Sequence, residues 1–219
     1  MVVTVRQGGI EVIESIARLR DLYREPATIS TEKEVDFLDE NCREFLQVSP
    51  FVAVATADGE GNCDVSPRGG PVGFVKTLDD HHLGIPDASG NRRLDSMQNI
   101  LLNPHVGLMF IVPGLEETLR VNGRAWITAD PEVLSLWSGD ARPPVSVIVV
   151  EMQTAFIHCA KAFKRSHFWH PERWPDRSSM RPVAAMIAGH TKGTVGDEAA
   201  VQEILDTSYG QVIEAEKLD

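Results

Sequence analysis

The sequence predicts a mainly β protein with flanking helices, an α+β fold built around an antiparallel barrel. Short β-rich segments recur at regular spacing, turn residues join neighbouring segments as hairpins, and a single helix is inserted among them. Hairpin connections argue against a doubly wound parallel sheet, whose strands alternate with crossover helices. The chain of 219 residues, 42% of them hydrophobic, is long enough to bury the core of one domain.

Two helices are predicted before the first strand. Apolar residues at helical spacing predict a helix over 10–23, which Pro26 ends. Thr31 and Glu34 match a capping box, so a second helix is expected from Thr31 to about residue 46.

The β-rich segments follow, with turns at 58–62 and at 79–80 making two hairpins. A barrel of about six strands is expected from residues 51–56, 63–66, 72–77, 82–85, 105–112, 118–128 and 145–157. Asn91 is expected to cap the inserted helix, which would run to about residue 102. Asp130 and Pro131 predict a short helix, and residues 197–217 an amphipathic one.

Together these elements predict a single domain over residues 1–219. It would comprise a helical N-terminal extension (1–50), a barrel core (51–170) and a C-terminal helical segment (171–219). The sequence has no run of 18 apolar residues, no signal-peptide pattern and only three scattered cysteines, so a cytoplasmic protein without membrane contact is expected.

The charge is acidic overall but uneven. The formal net charge of −11, from 21 basic and 32 acidic residues, argues against binding to nucleic acid or to an anionic membrane. Residues 155–181 reverse this balance, with six Lys and Arg against two acidic residues. Salt bridges to acidic helices and a local anion site both explain such a basic segment.

Two clusters indicate an anion site. Ser66 and Arg68 end a predicted strand, where Arg68 offers a planar charged fork suited to phosphate; a plain turn with a surface arginine is the alternative. Arg92 and Arg93 follow Asn91 in the expected first helical turn, where the helix dipole disfavours cations unless an anion binds there. Their alternative is an ion pair with Asp87 or Asp95.

Two further clusters are more ambiguous. Arg120, Asn122 and Arg124 share one face of a predicted strand, which is either a polar cavity face or a solvated sheet surface. The basic segment at 158–169 offers further phosphate contacts and an aromatic wall.

Several other chemistries lack their motifs. The sequence has no phosphate-binding lysine loop, no dinucleotide glycine fingerprint, no Cys-x-x-Cys pair and no serine nucleophile elbow. His81 and His82 are adjacent rather than four residues apart, so no metal site is expected.

Taken as a set, five motifs resemble the pyridoxamine 5′-phosphate oxidase-related, FMN-binding split-barrel flavoproteins. They read Ser-Pro-Arg-Gly (66–69), Pro-Asp-x-x-Gly-Asn-Arg-Arg-x-Asp (86–95), Asn-Pro-x-Val-Gly-Leu (103–108), Thr-Leu-Arg-Val-Asn-Gly (118–123) and His-Cys-x-Lys-Ala (158–162). The resemblance covers roughly residues 51–169. It implies a six-stranded antiparallel split barrel and a homodimer with one FMN in each of two clefts between subunits.

The resemblance also implies roles for individual residues. Arg68 and the pair Arg92 and Arg93 fall where the family binds phosphate, while Pro86 and Asp87 fall beside the flavin ring. Thr118 falls where the oxidases use a glutamine. The part supplied across the interface is expected from Lys161, Arg165, Ser166 and Trp169. Ser66, Asn91 and Arg120 complete the candidate cofactor-binding set, and no catalytic residue is assigned.

One departure shapes the expected function. The oxidases carry a C-terminal arginine and histidine motif for their substrate, whereas residues after Trp174 lead here to an acidic helix. The resemblance therefore implies an FMN-dependent oxidoreductase acting on an unknown small molecule, rather than pyridoxamine phosphate oxidation itself. A deazaflavin (F420)-binding reductase, a non-catalytic flavin-binding protein, and haem binding through His158 or His105 remain alternatives.

Overall fold

The structure is a computed structural model that describes residues 12–23, 25–87 and 90–216. These residues form two compact units, the first ending at Glu34 and the second beginning at Val35. The helix that precedes the first strand belongs to the same unit as the sheet.

The first unit contains two short helices, α1 (Ile16–Leu22) and α2 (Thr28–Thr31). Helix α1 begins later than expected, because the Ser15 hydroxyl accepts a hydrogen bond from the Arg18 N–H and so caps it there. Residues 10 and 11 of the predicted helix lie outside the described residues. The expected capping box at Thr31 is wrong, because the Thr31 hydroxyl donates instead to the Thr28 carbonyl within α2.

The expected helix from Thr31 to residue 46 is therefore replaced by α2 and a separate helix, α3 (Glu40–Val48). Asp39 starts α3, since its carboxylate accepts a 2.8 Å hydrogen bond from the Cys42 N–H. Burial raises the pKa of Asp39, but the Cys42 N–H and the Asn41 side chain stabilise the charged form and lower it overall. Cys42 itself is buried on the inner face of α3.

All strands that the described residues form belong to one antiparallel sheet, which confirms the predicted class. It has seven strands rather than six, in the order β2-β1-β5-β6-β7-β4-β3. They are β1 (Phe51–Ala57), β2 (Cys63–Gly69), β3 (Lys76–Thr77), β4 (His82–Asp87), β5 (His105–Ile111), β6 (Thr118–Thr128) and β7 (Ser146–His158). Both predicted hairpins form, although β3 is only two residues of the six expected.

A β-bulge interrupts the longest ladder, between β6 and β7. The register shifts between Asn122 and Gly123. A Cβ at Gly123 would overlap the backbone carbonyl of Glu151, so only glycine lets the two strands approach this closely.

The sheet curls into a barrel that is not closed, because its first and last strands are not joined by backbone hydrogen bonds in the described residues. Among the described residues no ladder joins β2 to β3 or β4, yet the Arg68 side chain of β2 reaches Asp87 of β4. We call this line of approach the seam. Apolar side chains that alternate along the strands fill the interior, among them Val52, Phe110, Leu119, Ile148 and Val150.

The remaining helices are α4 (Asp95–Leu102), α5 (Pro131–Leu134), α6 (Lys161–Ser166), α7 (Val183–His190) and α8 (Glu198–Glu216). Helix α5 confirms the start predicted at Asp130, and α8 confirms the predicted C-terminal helix apart from Lys217, which lies outside the described residues. On α8, Val201 is buried, whereas Ile204 and Tyr209 of the same apolar stripe are exposed. No helix within the described ranges is long and apolar enough to cross a membrane.

Candidate functional site

A cavity of about 950 Å³ lies at the seam. Its walls come from β2, from the end of β4, from the segment leading into α4 and from the connection between β6 and β7; Val212 of α8 also lines it. This volume is in the range of small-molecule and cofactor pockets, roughly 300–1,000 Å³. The cavity is therefore the candidate functional site.

One wall is the inward face of β2. Successive strand side chains point to opposite faces, so Asp64, Ser66 and Arg68 share a face, and all three line the cavity. β2 is an edge strand, so one of its two edges has no hydrogen-bonded neighbouring strand within the described residues. Ser66 and Arg68 are predicted site residues and Asp64 is not, although the alternation of side chains along a strand places Asp64 on the same face.

Arg68 and Asp87 face each other across the cavity. The Arg68 Nε and an Asp87 carboxylate oxygen are 3.5 Å apart, and the two side chains are only 23% and 18% exposed. Burial raises the pKa of Asp87, and the positive charge of Arg68 offsets part of that rise. The Arg68 Nε is buried and makes no hydrogen bond within the described residues, although its charge faces Asp87.

The segment before α4 carries the two adjacent arginines, but not in the first helical turn as expected. Helix α4 begins at Asp95, and the Asn91 side chain accepts a hydrogen bond from the Arg93 N–H instead of capping the helix. Arg92 and Leu94 both adopt left-handed backbone angles, with φ of 61°. Asn91, Arg92 and Arg93 still line the cavity, but they precede the helix, so the expectation that the two arginines lie in its first turn is wrong.

The two arginines differ in their partners. Arg93 forms a 2.7 Å ion pair with Asp95, which is one of the alternatives that the sequence left open. That hydrogen bond, with a smaller contribution from the charge of Asp64, raises the pKa of Arg93. Arg92 makes no ion pair with any residue that the structure describes, so its charge is available to a ligand.

The N-terminus of α4 adds backbone donors. Leu94 occupies the N-cap position, where an apolar side chain cannot accept hydrogen bonds from the first turn. Asp95 and Ser96 of that turn line the cavity. Ser96 is almost fully buried, and its hydroxyl donates to the Asp64 carboxylate over 3.3 Å, which ties α4 to β2.

Sequence reasoning missed five polar residues of this cavity: Asp64, Asp95, Ser96, Asp140 and Arg142. Asp140 and Arg142 come from the β6–β7 connection, distant in sequence from the other walls. A Gly-Asp-Ala-Arg-Pro-Pro stretch at 139–144 marks a polar loop, but only the fold brings that loop to the seam.

Seven of the thirteen predicted site residues meet at the cavity: Ser66, Arg68, Pro86, Asp87, Asn91, Arg92 and Arg93. The other six do not line it in this chain: Thr118, Arg120, Lys161, Arg165, Ser166 and Trp169. Their expected meeting with the first seven is therefore not formed within one chain. Nor does the basic segment 155–181 supply a cavity residue.

Those six residues lie at the start of β6 and in the chain that follows β7. Thr118 is 2% exposed and its hydroxyl oxygen has no hydrogen-bond partner in the described residues. Arg120 lies over the Phe156 ring at 5.2 Å, on a sheet face rather than in a cavity. The Trp169 indole donates a 2.8 Å hydrogen bond to the Leu115 carbonyl and stacks on Phe163.

One basic residue of the same region forms a salt bridge, which is one of the two explanations given for the basic segment. Lys164 pairs with Glu116, which raises the pKa of the lysine, so at least this charge serves a salt bridge. Glu116 belongs to the turn between β5 and β6, not to an acidic helix as expected.

The family model for pyridoxamine 5′-phosphate oxidase matches residues 38–159, more than half of the chain and the whole seven-stranded sheet. The chain belongs to the pyridoxamine 5′-phosphate oxidase family. No curated protein sequence matches it.

Solved structures of low sequence identity align with a little over half of this family member. HupZ from Group A Streptococcus is 16% identical with a TM-score of 0.45, and the alignment covers 54% of this chain and 92% of HupZ. A putative pyridoxamine 5′-phosphate oxidase from Lactobacillus delbrueckii is 21% identical, with a TM-score of 0.42 and coverage of 56% and 99%. An F420 reductase is 20% identical, with a TM-score of 0.38 and coverage of 53% and 94%.

Within this family member, the matched region holds most of the cavity. Every cavity-lining residue except Val212 falls between residues 38 and 159. The segments outside the match are residues 1–37, which include the first unit, and the chain from Ala160 onward.

Proposed function

We propose that the protein is an FMN-dependent flavoprotein oxidoreductase and that the seam cavity holds the cofactor. The observation that carries the proposal is the set of hydrogen-bond donors at one cavity: Arg68, Arg92, Arg93 and Arg142, beside an uncapped helix N-terminus. Four aspartates also line the cavity (Asp64, Asp87, Asp95 and Asp140), and two of them pair with Arg68 and Arg93. Arg92 forms no ion pair within the described residues, so it is the positive charge best suited to an anionic ligand.

The arrangement fits a phosphate monoester. Arg92 has no protein counter-ion in the described residues, and the first turn of α4 offers backbone N–H groups nearby. Arginine binds phosphate through two parallel hydrogen bonds, and an uncapped helix N-terminus adds favourable dipole charge. Arg92, Arg93 and the start of α4 would therefore hold the phosphate of FMN.

The rest of the cavity suits a flat ring system. Gly69 and Gly70 bring backbone close to the cavity, and Pro86 and the half-buried Asp87 form the opposite side. The flavin, once bound, would supply the redox chemistry. The residues of the chain would orient it, exclude water from its ring and, through Arg68 and Asp87, set the charge beside it.

We also propose that the functional protein is a homodimer in the cytoplasm, in which a partner supplies Lys161, Arg165, Ser166 and Trp169 to this cavity. Lys161, Arg165 and Ser166 support this, because all three are exposed in the single chain and are therefore accessible to a partner. The oligomeric state, measured by light scattering of the purified protein, tests the dimer, and a monomer would contradict it.

The first test is the absorption spectrum of the purified protein with and without added FMN. Bound FMN should show the two visible flavin bands, and released cofactor should have the mass of FMN. Arg92→Ala combined with Arg93→Ala should weaken FMN binding by about 100-fold or more, because two charged hydrogen-bonding groups are lost. Arg20→Ala, on the exposed surface of α1, is the matched control and should bind as the wild type does.

Other results would change the assignment. Retention of a deazaflavin in preference to FMN would make the protein an F420-type reductase. FMN binding without turnover by nicotinamide or oxygen would leave a flavin-binding protein that is not an enzyme. A protein that binds neither flavin contradicts the proposal.

A further inference from the structure

On the β2 wall of the cavity, the Asp64 carboxylate accepts hydrogen bonds from two serine hydroxyls. One carboxylate oxygen, Oδ2, accepts both the Ser66 hydroxyl at 2.9 Å and the Ser96 hydroxyl at 3.3 Å. All three residues line the cavity. The two serines come from different elements, β2 and α4, so the carboxylate also fixes where both hydroxyls lie.

These contacts fix what Ser66 can offer a ligand. A serine hydroxyl has one proton to donate and two lone pairs that accept. Because Asp64 takes the proton, Ser66 faces the cavity with lone pairs alone. A phosphate oxygen is itself an acceptor and would be repelled by both Ser66 and the Asp64 charge. Ser66 is therefore unsuited to the phosphate contact that its place beside Arg68 first indicates.

We infer that Asp64 and Ser66 form an acceptor subsite, which binds a hydroxyl of a ligand whose phosphate is held by the arginines. The ligand class is a phosphorylated polyol. The inference rests on the proposed function, since the ribityl phosphate of FMN is one member of this class. It assigns hydrogen-bond acceptors to one wall of the cavity and hydrogen-bond donors to another.

The spacing along β2 agrees with this division. Ser66 and Arg68 are two residues apart on one face, a separation of about 7 Å in a strand. A short polyol chain spans that distance, so one ligand can contact both the acceptor Ser66 and the donor Arg68.

The test compares three probes by calorimetry: FMN, ribitol 5-phosphate and inorganic phosphate. In Ser66→Ala, FMN and ribitol 5-phosphate should bind about three- to tenfold more weakly, because one hydrogen bond is lost, whereas inorganic phosphate should bind as before. Ser66→Thr retains the hydroxyl on a strand and should restore wild-type affinity. Equal weakening of all three probes, or no weakening of any, would overturn the inference.

Asp64→Ala provides the second arm. This variant releases two hydroxyl protons and removes a negative charge, so inorganic phosphate should bind at least about twofold more tightly. Weaker phosphate binding would show that Asp64 only holds the wall in shape and would overturn the acceptor assignment. Circular dichroism and melting temperature establish that each variant is folded.

The two proposals fail separately. If the wild type rejects FMN but distinguishes ribitol 5-phosphate from inorganic phosphate through Ser66, the FMN assignment fails and the acceptor subsite stands. If FMN binds and Ser66→Ala leaves its affinity unchanged, the acceptor subsite fails and the cofactor assignment stands. Rejection of all three probes overturns both.

Discussion

The Arg68 guanidinium on β2 and the Asp87 carboxylate on β4 are 3.5 Å apart across the seam. The two strands lie near opposite ends of the sheet order. In the described part of the chain no backbone hydrogen bonds join them, so this side-chain contact is what bridges the gap in the barrel. Both groups are mostly buried, so water screens the pair less than it screens a surface ion pair.

The first prediction concerns the pH dependence of stability. Burial raises the pKa of Asp87 above its ordinary value of 3.8, so the folded state favours the protonated carboxyl. The stability that this group contributes is complete below pH 3.8 and is lost as the pH rises through the raised pKa. Asp87→Asn removes that loss, so its free energy of unfolding relative to wild type should increase across this window.

Chemical denaturation at a series of pH values from about 3 to about 7 measures the effect. Asp21→Asn, on the exposed surface of α1, serves as the control. A difference between Asp87→Asn and wild type that stays constant with pH would contradict the burial of this carboxyl.

The second prediction separates the backbone of Arg92 from its charge. Arg92→Ala and Arg92→Gly both remove the guanidinium, but only glycine adopts φ of 61° without steric cost. Arg92→Gly should therefore be more stable than Arg92→Ala by roughly 0.5–1 kcal/mol, while both lose the same FMN affinity. Denaturant titration and flavin fluorescence measure the two effects, and equal stabilities would argue against the left-handed conformation.

The third prediction tests the bulge in the β6–β7 ladder. Gly123→Ala places a Cβ against the Glu151 carbonyl, so the strands must separate or the register must shift. The expected loss is about 2 kcal/mol or more of unfolding free energy. Gly59→Ala is the matched control, because a Cβ there meets nothing within 4 Å, and it should be nearly neutral.

The fourth prediction concerns thiol reactivity. Burial raises the pKa of Cys42 to about 12, with the neighbouring Asp39 contributing in the same direction. Cys63, by contrast, is exposed at the start of β2. Alkylation of the native protein near pH 8, followed by peptide mass spectrometry, should label Cys63 much faster than Cys42. Comparable rates in the folded protein would mean that α3 detaches readily from the sheet.

Local patterns predict the elements that local physics determines. The β1–β2 hairpin and the helix at Asp130 depend on turn and cap residues close in sequence, and the structure confirms both. The helix expected from Thr31 is wrong because a capping pattern predicts a helix only where the chain can also bury a face. The segment from Asp39 has that face, since Cys42, Phe45 and Leu46 are buried against the core.

The cavity is predictable only in part, because its walls meet through long-range pairing. Short motifs and their family resemblance supply Arg68, Asp87 and the two adjacent arginines. Asp140 and Arg142 could not be predicted, because the position of their loop follows from the pairing of β6 with β7. The strand period of two, applied to the face of Arg68, is the signal that indicates Asp64.

The width of the gap at the seam can vary while the rest of the fold stays the same. Along every ladder, backbone hydrogen bonds hold neighbouring strands about 4.8 Å apart whatever side chains they carry. At the seam, side chains such as Arg68 and Asp87 determine the gap. Substitutions there, and in the polar loop at 139–144, can therefore change the width and charge of the cavity while the sheet stays intact. A chain built this way can acquire a new ligand without first acquiring a new fold.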